Sequence, residues 1–460
     1  MISLKTTTLS FAAATAIALT GCGGGSSSST TTPTPTPTTS AEWPVVANQG
    51  CGTDATKYTV PTSSTLPAQI TACTKLTKAG SPWKLAGKTA VVNGADLWLE
   101  PGAVVTGENP ASFLAITSGS KIHAVGTLND PIVFTSTKDV NPMGLDNNHS
   151  DDGAQGEWGG LILAGNAYTH YSKNVYEADE TITFGRTDHK YDTESSGELD
   201  YVSVKHTGYR VAKDKELNGL SLAGVGSGTS IKNIAIIGGA DDAIEIWGGR
   251  PNLTGVYLYN ASDDSVDTDL GYRGTWTNVL VNQQKLDKYN DHDSAGCETG
   301  NDADTISTND SNATQTHIVN YTAYIKGGGI SMKYDAGMIF DNVQFISDRN
   351  ASVGPAQVVY RGPDVVKTHA MHVNGDICFK DNALALNNDL TFSKTNTKIA
   401  STTENAFTDW VTNKNTATGV QLGASGVINV DSTACTGVDE TKVWKGKAGS
   451  MNPVETYVYK

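Results

Sequence analysis

The chain has 460 residues and carries 33 Lys and Arg against 48 Asp and Glu, a formal net charge of −15. That sign argues against nucleic acid and against electrostatic attraction to anionic membrane surfaces, and favours cations or cationic surfaces as partners. With 48 Gly, 38% hydrophobic and 7% aromatic residues, a core is possible only if it is narrow and continuous, which disfavours a globular enzyme with a separate helical domain and favours a solenoid.

Residues 1–21 read as an export signal: Lys5 in a short polar start, an apolar stretch to Leu19 that is too short to span as a stable helix, then small residues. Leu19, Thr20, Gly21 and Cys22 resemble the lipobox of bacterial lipoproteins. The resemblance implies that Cys22 becomes the acylated, palmitate-bearing first residue of the mature chain. Gly23 stands where Asp would signal inner-membrane retention, so the resemblance implies the outer membrane, facing either the periplasm or the surface. An ordinary secretory signal with an incidental Cys is the alternative. Residues 22–41 then form a tether, GGGSSSSTTTPTPTPTTS from Gly23 on, whose Gly/Ser half is flexible and whose Thr-Pro half favours extended polyproline II.

Residues 42–88 are expected to cap the open edge of the first coil. In an exported protein Cys51 and Cys73 are expected to pair, with Cys378 and Cys435 as the second candidate disulfide. Cys297 is left over; it alternates with Glu298, which points it inward as a small hydrophobe, with a reactive thiol as the other reading.

Residues 89–375 carry the solenoid. Short period-2 runs such as residues 244–246 (IEI) and 256–258 (VYL), and short apolar runs such as residues 97–99 (LWL) and 113–116 (FLAI), are separated by Gly, Asn and Asp, which is strand and turn chemistry with no room for helices. Residues 240–246 (ADDAIEI) are answered by residues 262–268 (SDDSVDT), a repeat of 22 that is one coil of a solenoid. Leu220 and Leu222 precede Ile244 and Ile246 by 24, and Ile234 and Ile236 precede Val256 and Leu258 by 22. The pattern predicts an all-β, right-handed parallel β-helix. Two polar, irregular segments, residues 139–155 and 168–196, are expected to leave a coil as loops, where binding surfaces usually sit.

The ordered series DLWLEPGAVVTG, SGSKIHAVGTLNDPIVFTS, GEWGGLILAGNA, GELDYVSVKHTG, LNGLSLAGVGSGTSIKNI, ADDAIEIWGG and SDDSVDTDLGYRG resembles a widespread family of bacterial exported right-handed β-helix proteins, many of them lipoproteins. The resemblance covers residues 89–345. It implies the fold and leaves the function open.

Chemistry concentrates in the acidic repeat. Ile244 and Ile246 point inward and Glu245 outward, and Val266 and Asp267 repeat the arrangement. Strands in adjacent coils lie about 4.8 Å apart, so Glu245, Asp267 and Glu298 are expected to stack as a column of carboxylates, with Asp269 nearby. Like charges at that spacing raise one another's pKa unless a cation lies between them. Several carboxylate oxygens suit Ca²⁺, which accepts irregular geometry. A solvated acidic face is the alternative. Asp241, Asp242, Asp263 and Asp264 are read first as turn residues whose side chains bond backbone amides. The insertion at residues 287–293, with His292, and Asn301, Asp302 and Asp304 after it, forms a loop beside the column. Arg273 and Lys333 are the basic residues expected nearest, and either could neutralise the column in place of a metal.

Two functions follow. The first is a non-catalytic, outer-membrane-anchored lipoprotein whose rigid ladder binds a ligand, a polysaccharide or an outer-membrane protein partner, with calcium. The second is what a resemblance to pectate lyases implies, at the level of residue type only: there stacked acidic residues hold Ca²⁺ and a neighbouring Arg or Lys abstracts a proton, so the protein would be a calcium-dependent polysaccharide lyase with Arg273 or Lys333 as base, or else a glycosidase. Residues 376–460 are expected to form a C-terminal cap or small subdomain, with a short amphipathic helix at residues 405–411.

Overall fold

The computed structural model describes residues 51–52, 54–144, 155–171, 174–213, 215–283, 296–301, 312–325, 329–333, 336–347 and 436–451, together with strands within residues 357–393 and 427–430. Among these residues the chain is a right-handed parallel β-helix; its helical pieces are three-residue 3₁₀ turns, as at Ala55–Lys57.

Each coil contributes one strand to an 11-stranded parallel sheet. From the second coil on, this first sheet runs through Lys88–Val91, Phe113–Ile116, Gly160–Ala164, Leu220–Ala223, Ile244–Trp247, Val266–Asp269, Cys297–Thr299, Gly329–Lys333, Gln357–Arg361 and Thr391–Ser393. The remaining strands make a second, 15-stranded sheet that folds around the other sides. In the early coils these sides are separate strands, such as Lys121–Val125 and Ile132–Ser136. Both then pair with one long strand, Gly197–Thr207. The long strands bend where Tyr201, Asn233, Gly255, Asn278, Asn320 and Asn342 adopt left-handed φ between 47° and 70°. Asn tolerates that region because its short polar side chain can bond locally. Here it bonds along the stack: Asn342 Nδ2 donates to Asn320 Oδ1 at 2.7 Å, and Asn320 Nδ2 to Asn278 Oδ1 at 3.2 Å.

The register read from the repeat is the register of the fold. Leu220 pairs with Ile244, Ile244 with Val266 and Glu245 with Asp267, while Ile234 pairs with Val256 and Ile236 with Leu258. The inward side chains of successive coils form one continuous apolar column from Leu66 to Phe345. Cys297 lies in it as expected, fully buried, and burial pushes its thiol far above the ordinary value.

The ladder reaches further at both ends than the sequence suggested. Within the segment expected as a cap, Gln69–Ile70, Thr74–Leu76 and Trp83–Leu85 already form a first coil, pairing with Ala90–Val91, Leu97–Leu99 and Val105–Gly107. The Cys51–Cys73 disulfide ties the stretch before this coil to the coil itself, between Ile70 and Thr74. At the other end, Asp376–Asp381 and Val427–Val430 extend the second sheet. Cys435 lies outside the described residues, as do Cys22 and residues 405–411.

Residues 436–451 do not cap the last coil. They run back along the outside of the second sheet: the Gly437 amide donates to Asn342 Oδ1, Tyr324 Oη to Glu440 Oε1, and the Gly449 amide to the Leu128 carbonyl. Trp444, Val443 and Val438 fill an apolar strip made by Ala235, Ile237, Tyr257 and Leu280.

Candidate functional site

The outer face of the first sheet changes character along its length. Over the early coils it is apolar and roofed. Part of the segment expected as an irregular loop is a hairpin, Asn174–Tyr176 with Asp179–Phe184, which lays Tyr176, Ile182 and Phe184 over Ala115, Ile162 and Ala223. The roof ends where Tyr176 Oη meets Ser221 Oγ at 3.1 Å and its ring meets Trp247 edge-on.

Beyond that edge the face is acidic. Ser221, Glu245, Asp267, Glu298 and Ser331 stand in register on five successive strands. The predicted column of Glu245, Asp267 and Glu298 therefore exists. A second row arises at the corner that enters the sheet: the Asp242 amide donates to Asn218 Oδ1 at 3.2 Å, and the Asp264 amide donates to Asp242 Oδ1 at 2.8 Å. Asp242 thus bonds a backbone amide, as read, but across to the next coil instead of within its own turn, and Asp242 and Asp264 also join the column. Three groups of carboxylates have ligand atoms within 4.8 Å of one another: Asp242, Glu245 and Asp267; Asp264, Asp267 and Glu298; and Asp242, Asp263 and Asp264. Asp269 lies outside these groups, in the neighbouring row beside Trp247.

The face is not solvated. Asp242, Asp264 and Glu298 are 6%, 3% and 3% exposed, and Glu245 and Asp267 are half-buried. Burial, then the neighbouring carboxylates, raises Asp241, Asp242, Glu245 and Asp264 well above the usual carboxylate range. Asp267 is pushed up to about 7 by burial and by Glu298, against the pull of Lys333. Such a group either holds protons or holds a cation. Buried acidic clusters of this kind could hold a metal ion.

Of the two basic residues expected nearest, Lys333 reaches the column. Lys333 Nζ is paired with Glu298 Oε1. Although burial opposes its charge, Glu298 and Asp267 hold the ammonium far above its ordinary value. Arg273 instead donates from Nε to the Ala313 carbonyl at 2.9 Å, and Lys333 is the cation acting on Asp267. Asn301 is buried and accepts from the Thr314 amide. Residues 287–293, Asp302 and Asp304 lie outside the described residues.

Sequence reasoning missed the flanking groups. Glu177, beside the hairpin, raises Glu245, while Arg210 and Glu216 on a second hairpin, Tyr209–Ala212 with Lys215–Leu217, act on Asp241. Nothing in the local pattern announces those contacts. The inclusion of Asp242 and Asp264 was signalled, because each stands three residues before a column carboxylate, one coil apart.

A family model described as a pectate-lyase-like β-helix domain matches residues 69–428. The chain belongs to that family. The match begins at the first strand of the first coil, Gln69, in agreement with the ladder. No curated protein matches the chain. Among solved structures, the enzymatically active domain of bacteriophage CBA120 tailspike protein 2 is similar with a TM-score of 0.31 and 10% identity. That comparison covers 75% of this chain and 41% of the other, a likeness too slight to bear on function. For a pectate-lyase-like β-helix, the acidic outer face of the first sheet is the part of this chain where chemistry is concentrated.

Proposed function

We propose that the protein is a non-catalytic surface lipoprotein that binds acidic polysaccharide through divalent cations, calcium by the nature of its ligands. The observation behind this reading is the packing of five carboxylates, Asp242, Glu245, Asp264, Asp267 and Glu298, on one outer sheet face with Lys333 as the cation paired among them. An all-oxygen, multi-carboxylate set suits a hard cation of flexible geometry, whose charge would attract the carboxylates of an acidic sugar. Acylation at Cys22 anchors the rod to the outer membrane in this reading, and labelling with a palmitate analogue, lost in Cys22→Ala, tests it.

Calorimetry with CaCl₂ on the full chain and on a Glu245→Gln/Asp267→Asn/Glu298→Gln variant tests the cation. Micromolar binding abolished in the variant, with polygalacturonate retained on the protein only when calcium is present, supports the reading. Absence of calcium binding to the wild type overturns it.

The family description favours a second reading, a calcium-dependent lyase. Abstraction of a sugar proton needs a free base beside the cation. Lys333 is held as an ammonium by Glu298, and Arg273 is engaged by a backbone carbonyl. The arrangement thus supports binding better than elimination; formation of ultraviolet-absorbing unsaturated products from polygalacturonate would reverse that preference.

A further inference from the structure

We propose that Cys378 and Cys435 form a second disulfide, which fastens the returning C-terminal segment, residues 436–451, to the outside of the second sheet. The proposal is independent of the cation reading above.

That segment, a strap, follows one row of the sheet. Ala235, Tyr257, Leu280, Thr322, Gln344 and Cys378 stand in register on six successive strands. A Cβ on Gly446 would sit 3.0 Å from Ala235 Cβ, and Val438, Val443 and Trp444 pack over Ala235, Tyr257 and Leu280. The Val438 amide donates to Thr322 Oγ1 at 3.1 Å. A Cβ on Gly437 would collide with both Thr322 Oγ1 and Gln344 Nε2, and Gln344 Nε2 donates to the Thr436 carbonyl at 3.5 Å. Backwards along the chain from Gly446 to Thr436, the strap therefore climbs the row from Ala235 to Gln344. One residue further back in the chain is Cys435, and one position further along the row is Cys378.

The spacing suits the bond. A residue of extended chain advances about 3.3 Å and a coil about 4.8 Å, so the step back from Thr436 leads from the level of Gln344 toward that of Cys378. The Cα atoms of a disulfide lie about 4.4–6.8 Å apart. At this end the strap is held that closely, since a side chain as short as Thr322 reaches its backbone, and Thr436 is fixed by its amide and Oγ1 on Asn342 Oδ1 at 3.2 Å and 3.1 Å. The remaining cysteines are accounted for. Cys51 and Cys73 are joined to each other. Cys297 is fully buried on the first sheet against Met338 Sδ at 4.0 Å, out of reach of the strap. Closing the bond oxidises two thiols, whose two protons and two electrons pass to the disulfide of a protein oxidant, which leaves as a dithiol. Pairing of Cys51 with Cys73 in an exported chain requires the same oxidant. The new bond closes a loop of 435 − 378 = 57 residues.

Peptide mapping by mass spectrometry tests the bond on the full chain, exported, purified without reductant and alkylated with iodoacetamide in denaturant. The peptides carrying Cys378 and Cys435 are expected as one linked species, with Cys297 alkylated. Alkylated Cys378 and Cys435, or either one linked to another cysteine, overturns the proposal. Limited trypsin digestion under native conditions tests the fastening. Cleavage after Lys442, Lys445 and Lys447 is expected to quicken about tenfold or more in Cys378→Ser and in Cys435→Ser, because the released strap opens more often. Equal rates in the variants and the wild type overturn the fastening role even where the bond is mapped. Near-ultraviolet circular dichroism checks that each variant is folded, and if neither is, the wild-type map alone decides.

Discussion

Glu245 and Asp267 stand opposite one another on neighbouring strands, 22 residues apart in the chain and one coil apart in space. Burial raises both, and the carboxylates around them raise them further. Protons and divalent cations must then compete for the same oxygens.

Calcium affinity should therefore climb steeply as pH rises through the value of about 7 reached by Asp267. Calorimetry at pH 6 and pH 8 is expected to show at least about tenfold tighter binding at the higher pH. An affinity unchanged over that interval would mean that the column carboxylates are not the ligands.

The cation-free protein should lose stability in the same direction. A carboxyl whose folded value is raised binds more protons folded than unfolded, so its contribution is present below the unfolded value of 3.8 and is lost as pH rises through the folded value of about 7. For Asp267 alone the loss is on the order of 4 kcal/mol at most. Urea denaturation in chelator is expected to give a lower midpoint at pH 8 than at pH 5.5, with calcium closing the gap. In Asp267→Asn the difference should shrink.

Lys333→Met removes the ammonium from Glu298. Stripping one partner from a buried pair costs about 3–5 kcal/mol in typical cases, so the cation-free variant should be less stable. Its calcium affinity should increase, by about tenfold, because a competing positive charge has gone. A variant that binds calcium more weakly would show that Lys333 organises the ligands instead of opposing the ion.

Trp444 is fully buried, donates from Nε1 to the Lys447 carbonyl and packs its ring edge-on against Tyr201. Trp444→Ala should destabilise the fold by about 3–5 kcal/mol, read as a shift in the urea midpoint. Calcium affinity, measured below that midpoint, should be unchanged, since the strap lies on the second sheet and the carboxylates on the first.

The fold was legible because period and register are local properties of this sequence. Ile244 and Ile246 must point one way and Glu245 the other, and a repeat of 22 puts Asp267 beside Glu245 whatever lies elsewhere. The column followed from the same logic. What could not be read was anything set by distant chain segments: the hairpin that ends at Ser221, the engagement of Arg273 by Ala313, and the return of Trp444 to strands some two hundred residues earlier. The first coil was missed for a different reason, since its strands, Gln69–Ile70 among them, are two or three residues long and too short to show alternation.

The returning segment changes how the rod should come apart. A stack of coils held only by its neighbours can fray from either end, one coil at a time. Here residues 436–451 touch Asn342 at one end of their path and Leu128 at the other, and lie over Ile237 and Tyr257 between them. Peeling away an early coil therefore disturbs contacts anchored several coils later. The strap works as a seam that turns a series of weakly dependent repeats into one cooperative unit, so protease should find the body whole or open, with few partly unwound species in between.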